Sequence, residues 1–243
     1  MARDPKKHQK SKERRNRREK EKRKEHAKNG SLMSSPLSLL KSRSDVPFHF
    51  CGIHSVAFTE GMGSLVVSRI LPNGLVVAVI YLVDLYCLGI KDVIIELYTK
   101  SAFEQDIHKG MFRSQPVESL TPAEAKKLVA GVVEYAKHYG LLPAADYVKS
   151  LAIFNGVDES PVEREFTFGL KGKPCYINGP HDSVAFQNRI RNTLEHTAGP
   201  GGYDFIMMLG GSLPFDGGFD DDWDDEETGD EGGEGKPRPP QWN

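Results

Sequence analysis

Cysteine is scarce in this sequence of 243 residues, with three examples far apart along the chain. An odd number of distant cysteines does not form the disulfide framework that stabilises small secreted domains. The sequence also lacks an apolar run of the ~20 residues that a membrane helix needs, since the longest run, Leu75 to Leu88, contains Asp84. No apolar signal region follows the charges at the N-terminus. These absences predict a cytoplasmic protein without a membrane span.

The motifs of several large enzyme classes are absent as well. The chain has no G-x-G-x-x-G, no G-x-x-x-x-G-K-[ST], no H-E-x-x-H and no G-x-S-x-G. Dinucleotide-dependent enzymes, P-loop NTPases, zinc proteases and α/β-hydrolases are therefore disfavoured. We expect no cofactor and no metal site.

Charge, in contrast, is abundant at the two ends of the chain. Residues 1–29 hold 14 lysines and arginines against five acidic residues, and residues 215–243 hold 11 acidic residues against two basic ones. The net charge of −2 for the whole chain conceals this separation. Because both ends have little apolar surface to bury, residues 1–45 and 216–243 are predicted to be disordered tails.

The basic tail is a candidate for contact with RNA or DNA. Its cations can lie along a phosphate backbone and release counterions, which gives an affinity that depends on salt and not on base sequence. Its glutamates weaken this potential, and without aromatic residues it cannot stack on bases. An acidic protein surface would attract the same tail, and a purely solubilising role is the alternative. The arginines concerned are Arg14, Arg15, Arg17, Arg18 and Arg23.

Residues 46–215 have the composition of a single globular α/β domain of the α+β type, large enough to fold without disulfides or metals. The runs His54–Phe58, Ser64–Ile70 and Leu75–Tyr86 are rich in β-branched residues, and they predict a three-stranded β-meander. Asn73-Gly74 between the last two runs is a strong signal for a two-residue hairpin loop. The third run is apolar on both faces, which indicates a central strand covered on each side.

Helical spacing dominates the next part of the chain. Apolar residues at helical intervals predict a helix over Gly89–Lys109 that crosses the sheet. Thr121-Pro122-Ala123-Glu124 is a capping box, and it starts a helix that Gly140 ends. A further helix from Pro143 to Asn155, with Leu151 facing inward, completes a helical hairpin.

Three more elements are predicted towards the C-terminus. Glu163–Leu170 and Pro174–Asn178 have the pattern of a second β-hairpin. Ser183–His196 has that of an amphipathic helix with Val184 on its inner face, and Tyr203–Leu209 that of a last strand.

Asp84 is the first candidate for a site residue, because it is a carboxylate near the end of a long apolar strand. In open α/β sheets, binding sites gather at the carboxyl ends of strands, where a carboxylate can act as a base or bind a cation. The structural alternative is that Asp84 caps the following turn or pairs with Lys91. Structural ion pairs are commoner than catalytic ones, which favours this alternative.

His181 is the second candidate, in a loop of sequence Gly-Pro-His-Asp-Ser that leads into a helix N-terminus. Exposed N–H groups there favour an anion, and His181 would serve as an acid, a base or a metal ligand. In the structural alternative, Asp182 or Ser183 caps the helix and His181 lies in solvent. A catalytic site requires that Asp84 and His181 line one pocket.

The cysteines form weaker candidate groups. Cys51 and His54 have C-x-x-H spacing, but no second close pair follows to complete a zinc site. Cys87, His181 and Asp182 have the residue types of a nucleophilic triad. Cysteines are more often small buried hydrophobic residues, and we favour that interpretation here.

Two stretches resemble a group of bacterial proteins without an assigned activity. They are Tyr81-Leu82-Val83-Asp84-Leu85-Tyr86-Cys87-Leu88-Gly89-Ile90-Lys91-Asp92, and Phe166-Thr167-Phe168-Gly169 with Gly179-Pro180-His181-Asp182. The similarity extends from Phe58 to Leu209. It implies a bacterial, cytoplasmic origin and transfers no catalytic role.

Two hypotheses of function follow. The leading one is a non-enzymatic binding protein whose basic tail contacts RNA, DNA or an acidic protein, with the acidic tail competing for the basic one. The other is an enzyme, with hydrolysis as the candidate reaction and with Asp84 and His181 in its site. Neither hypothesis indicates an oligomeric state.

Overall fold

The structure is a computed structural model that describes residues 36–40, 45–179 and 182–207. Five strands form one antiparallel sheet in the order β4-β3-β2-β1-β5. The α+β class predicted from the sequence is confirmed. The predictions for residues 1–35 and 208–243 lie outside the described residues. The strands of the sheet are β1 (Phe48–His54), β2 (Met62–Ile70), β3 (Leu75–Asp84), β4 (Gly89–Thr99) and β5 (Val117–Ser119).

Strand β3 is covered on both faces, as its sequence predicts. All of its residues after Leu75 are buried. Val77, Val79 and Tyr81 belong to the larger core on one face of the sheet, whereas Val76 and Ala78 belong to a second core on the other. This alternation follows from the two-residue period of a strand.

The hairpin between β2 and β3 is confirmed at Asn73-Gly74. Gly74 has the left-handed φ of 82° and Asn73 does not, so the loop is longer than the predicted two-residue turn. Leu71 N–H donates to the Leu75 carbonyl at 2.8 Å and closes a three-residue loop. The Asn73 side chain accepts a hydrogen bond from Leu75 N–H at 3.1 Å, which stabilises the turn locally.

The helix predicted over Gly89–Lys109 is wrong for its first half. Gly89–Thr99 is strand β4, which pairs with β3 along its length. The helical spacing arose because both faces of the strand are apolar, with Val93 and Ile95 on one side and Ile94 on the other. A run rich in β-branched residues favours a strand once a neighbouring strand is present to pair with it.

Eight helical segments occur among the described residues. Strand β1 ends at His54 and a short helix begins at Ala57, so the strand predicted at His54–Phe58 is wrong. The segments are the 3₁₀ helix Pro36–Leu39, α1 (Ala57–Glu60), α2 (Lys100–Phe103), the π-helix Glu104–Met111, α3 (Pro122–His138), α4 (Tyr147–Ser150) followed by the 3₁₀ helix Leu151–Phe154, and α5 (Val184–Thr197).

The capping box of α3 is confirmed. Thr121 Oγ1 accepts from Glu124 N–H at 3.2 Å, and Thr121 N–H donates to the Glu124 carboxylate at 2.7 Å. The second helix of the predicted hairpin is present as two single turns, over Tyr147–Phe154. Leu151 is 37 % exposed and does not face inward.

The second β-hairpin predicted over Glu163–Leu170 and Pro174–Asn178 is not present as such. Cys175–Ile177 is strand β6, and it pairs in parallel with β7, Asp204–Ile206. Glu163–Gly169 contains no strand, and a single bridge joins Leu170 to Lys173. The backbone of this segment instead bonds to the turn after β3, through Gly169 N–H to the Leu85 carbonyl at 2.9 Å.

The sheet carries a helical layer on each face. Helix α3 buries Leu128, Val129 and Val132 in the larger core, while Phe103 and Ile107 of α2 and the π-helix cover the opposite face. A third cluster joins α5 to the end of α3 through residues that include Ile190 and Leu194. Val184 of α5 is 73 % exposed, so its predicted inward position is wrong.

The folded region begins earlier than the predicted boundary at Val46. Leu37 and Leu40 lie in the larger core with 2 % and 1 % exposure, although the sequence assigned them to a disordered linker. The serines and Pro36 that surround these leucines suggested a linker. Their burial shows that apolar side chains within a polar segment can belong to the core of the folded domain.

Candidate functional site

Asp84 ends β3 and is almost completely buried. Its Oδ1 atom accepts hydrogen bonds from the backbone N–H of Tyr86 at 3.0 Å and of Cys87 at 2.9 Å. In this arrangement the carboxylate stabilises the turn that connects β3 to β4. The structural alternative considered from the sequence, a cap on the following turn, therefore agrees with the contacts of Asp84.

The charge of Asp84 is set by two opposing effects. Burial raises the pKa of Asp84, while Lys91 and the N–H groups of Cys87 and Tyr86 act to lower it. Lys91 also lies near a second carboxylate, with Nζ 3.9 Å from Oδ1 of Asp182. One lysine thus connects the turn after β3 electrostatically with the loop that precedes α5.

That loop is organised by Asp182. Its Oδ2 atom accepts hydrogen bonds from the Tyr176 hydroxyl and from Gly179 N–H, the latter at 2.8 Å. Ser183 Oγ accepts from Phe186 N–H at 3.1 Å and is the N-cap of α5, as the structural alternative proposed. Both polar residues after His181 therefore have structural partners.

The predicted convergence of Asp84 and His181 falls partly outside the described residues, because Pro180 and His181 are not among them. Lys91 interacts with both Asp84 and Asp182, because its charge acts to lower the pKa of Asp84 and its Nζ lies 3.9 Å from Oδ1 of Asp182. The convergence of Asp84 and His181 therefore stays a prediction.

Two depressions on the surface lie away from Asp84. One, of about 310 Å³, is lined by residues near the β2–β3 loop, including Pro47, Leu71 and Lys100. The other, of about 570 Å³ and open to solvent, is lined by one face of α5, namely Ala185, Asn188, Arg189, Asn192, Thr193, His196 and Thr197. Asp84 lines neither of them.

The group of Cys87, His181 and Asp182 lies partly outside the described residues, because His181 is not among them. Cys51, Cys87 and Cys175 are all free thiols. Burial raises the pKa of Cys51 to about 12, and burial also raises the pKa of Cys87, so both thiols are poor nucleophiles at neutral pH. Within the described residues, no group of three or more histidine, cysteine or acidic side chains is arranged to hold a metal ion.

His54 is a structural residue and not a ligand to be shared with Cys51. Its Nδ1 accepts a hydrogen bond from Ser64 N–H at 3.2 Å, so Nε2 carries the proton and donates to the Met111 carbonyl at 3.2 Å. The ring is buried against that of Phe112, at 4.6 Å between centroids. His54 therefore connects the sheet to the end of the π-helix.

The stability of the protein should depend on pH through His54. Burial lowers the pKa of His54, and the hydrogen bond to Met111 opposes this only in part. As the pH falls below about 6.5, the unfolded chain binds a proton that the folded protein resists, so stability decreases by up to about 1.4 kcal/mol per pH unit. Urea unfolding between about pH 7 and pH 5 should show a smaller decrease for His54→Gln than for the unchanged protein.

Exposed His196 provides a matched control for this measurement, as His196→Gln also removes one histidine. The two tryptophans, Trp223 and Trp242, lie outside the described residues, so far-UV circular dichroism is the suitable signal. If the free energy of unfolding decreased equally with pH in His54→Gln and in the unchanged protein, the dependence could not be assigned to His54.

The structural roles of His54 and Arg69 were not predicted from the sequence. Arg69 is 2 % exposed, and its guanidinium donates to the carbonyls of Val46, Ile153 and Asn155. A charged residue inside the apolar pattern of β2 was the signal that could have drawn attention to it.

No known protein family, curated protein or solved structure matched the chain. Among the residues that the structure describes, no helix has the length and apolar character needed to cross a membrane.

Proposed function

We propose that this chain is a bacterial cytoplasmic protein with a non-enzymatic binding function, in which residues 1–29 contact the phosphate backbone of a nucleic acid. The observation that carries the proposal is the excess of cations in that segment, 14 lysines and arginines against five acidic residues. Such a segment neutralises phosphates and releases counterions, so its affinity decreases steeply with salt. The acidic residues 215–243 compete with phosphate for the same cations.

The contacts in the described domain favour binding over the hydrolytic alternative. Asp84 accepts backbone hydrogen bonds in a turn and lines neither of the two surface depressions, while Cys87 is buried with a raised pKa. A general base or nucleophile must instead be accessible to its substrate. These residues therefore support a structural role for the turn after β3.

The proposal is tested by titrating fluorescent single-stranded RNA and duplex DNA with the full chain at about 50 and 200 mM salt. In one variant, Arg14, Arg15, Arg17, Arg18 and Arg23 are replaced by glutamine. In the matched control, the same five positions carry lysine, which keeps the charge. We expect the glutamine variant to bind more weakly and with a smaller dependence on salt. The logarithmic slope should decrease by about 0.9 per lost phosphate contact for duplex DNA and by about 0.7 for single-stranded RNA, and the lysine variant should keep most of the affinity.

Competition by the acidic residues predicts a further difference. A chain that ends at Gly218 should bind nucleic acid more tightly than the full chain at low salt, and the difference should diminish as salt screens both interactions.

Equal affinity of the glutamine variant and the unchanged protein would refute the proposal. Binding to an acidic polypeptide without any binding to RNA or DNA would show that the partner is a protein.

A further inference from the structure

The depression near the β2–β3 loop has the size and the walls of a small-molecule site. Its volume of about 310 Å³ lies at the lower end of the range of about 300–1,000 Å³ that such sites span. Its lining comes from three segments, namely residues 45–47 before β1, residues 70–72 and 74 around the β2–β3 loop, and Lys100 after β4. The larger depression on α5 is lined by one helix alone and has no opposing wall. We call the smaller depression the loop pocket.

Hydrogen bonds hold the walls of the loop pocket in place. Ile70 N–H donates to the Pro47 carbonyl at 3.0 Å, which joins the segment before β1 to the end of β2. On the other side, Ala102 N–H donates to Thr99 Oγ1 at 3.2 Å and fixes the start of α2, where Lys100 lies. The loop pocket is therefore preformed in the folded domain, as most small-molecule sites are.

The lining of the loop pocket combines apolar side chains with two opposite charges. The apolar part is formed by five residues, Val46, Pro47, Ile70, Leu71 and Pro72. Asp45 and Lys100 are both exposed and supply one carboxylate and one ammonium group. In the part of the chain that the structure describes, neither of these two side chains takes part in a hydrogen bond or an ion pair. Both charges are therefore accessible to a ligand.

The fold places the two charged residues on opposite sides of the apolar lining. Asp45 precedes β1, Lys100 follows β4, and the β2–β3 loop lies between them in the order of the sheet. Adjacent strands are about 4.8 Å apart, so three strand intervals separate the two backbone positions. A ligand that contacts both residues must therefore carry its own charges at the two ends of an apolar body.

We propose that the loop pocket binds a small zwitterion of the ω-amino acid class, in which a methylene chain separates an ammonium group from a carboxylate. The ammonium group pairs with Asp45 and the carboxylate with Lys100, while the methylene chain lies on the apolar side chains between them. An exposed ion pair contributes little by itself, so binding requires both charged contacts together with the apolar contact. This site belongs to the folded domain and is independent of the nucleic-acid contact of residues 1–29.

Saturation-transfer NMR of the full chain with 6-aminohexanoate tests the proposal. We expect binding with a dissociation constant of about 1 mM or lower. Hexanoate and hexylamine each lack one of the two charges and should bind at least about tenfold more weakly. β-Alanine keeps both charges, but its chain is too short to reach both residues, so it should also bind at least about tenfold more weakly.

Variants of exposed residues locate the site. Lys100→Gln should lower the affinity for 6-aminohexanoate to that for hexylamine, because the ligand carboxylate loses its partner. Asp45→Asn should lower it to that for hexanoate, because the ligand ammonium group loses its partner. Lys109→Gln and Asp106→Asn are the matched controls, since both residues are exposed on the π-helix outside the loop pocket. Circular dichroism should show that all four variants fold.

The charged ends of the chain are the other source of binding, and the analogues distinguish it. Residues 1–29 attract hexanoate and residues 215–243 attract hexylamine without any need for a second charge. Equal binding of 6-aminohexanoate, hexanoate and hexylamine would therefore assign the binding to the ends and overturn the proposal. No binding of 6-aminohexanoate, or variants at positions 45 and 100 that bind as tightly as the controls, would overturn it as well.

Discussion

Replacing Arg69 with methionine is expected to destabilise the folded protein by about 3–5 kcal/mol, because three carbonyls, two of them buried, lose their donor together. The guanidinium donates to the Val46 carbonyl at 2.7 Å, to that of Ile153 at 2.8 Å and to that of Asn155 at 2.5 Å. It also lies over the ring of Phe48, 3.9 Å from the centroid. Arg69 thus joins strand β2 to the chain before β1 and to the segment after α4.

Arg69→Lys is the matched comparison, because it keeps the charge but loses the planar fork and the contact with Phe48. We expect it to recover only part of the lost stability, since an ammonium group donates from a single point. Urea unfolding followed by circular dichroism gives the free energy of unfolding for each variant. A loss below about 1 kcal/mol for Arg69→Met would show that water can replace the guanidinium.

Replacing both Leu37 and Leu40 with alanine is expected to cost about 4 kcal/mol or more, since each leucine is almost completely buried in the larger core. Removal of residues 1–40 should therefore destabilise the domain, although the sequence assigned this segment to a disordered tail. A chain that begins at Ser35 should unfold at nearly the same urea concentration as the full chain. A chain that begins at Lys41 should be markedly less stable.

Leu39 provides the internal control, because it lies between the two buried leucines, at the end of the 3₁₀ helix Pro36–Leu39, and is 38 % exposed. Leu39→Ala should cost much less than Leu40→Ala if burial, and not local helix propensity, determines the effect. Similar losses at positions 39 and 40 would contradict the burial of Leu40. The temperature of unfolding, measured for all three single variants, serves as an independent check.

Features confined to a few neighbouring residues were predicted well. The capping box at Thr121 and Glu124 and the hairpin at Asn73-Gly74 depend on hydrogen bonds within three or four residues, so the residue types alone specify them. The burial of β3 on both faces was predicted because its apolar residues show no alternation.

Elements that depend on a distant partner were not predicted. Gly89–Thr99 has apolar residues that fit a helix and a strand equally, and pairing with β3 decides between them. The segment Glu163–Gly169 has a strand-like pattern, yet its backbone bonds to the turn after β3. Leu37 and Leu40 lie in a segment that has the composition of a linker, and their burial becomes evident only in the folded core.

In the candidate site, too, some features could be predicted from the sequence and others depend on the tertiary structure. The sequence by itself determined that Asp84 ends a buried strand, that charge of opposite sign lies at the two ends of the chain, and that the class is α+β. Only the tertiary structure decided that Asp84 accepts hydrogen bonds in a turn, that Lys91 approaches Asp182, and that Arg69 and His54 join distant segments. The physical reason is that composition and local pattern set which side chains leave water, whereas a buried polar group must find its partner wherever the fold brings one within reach.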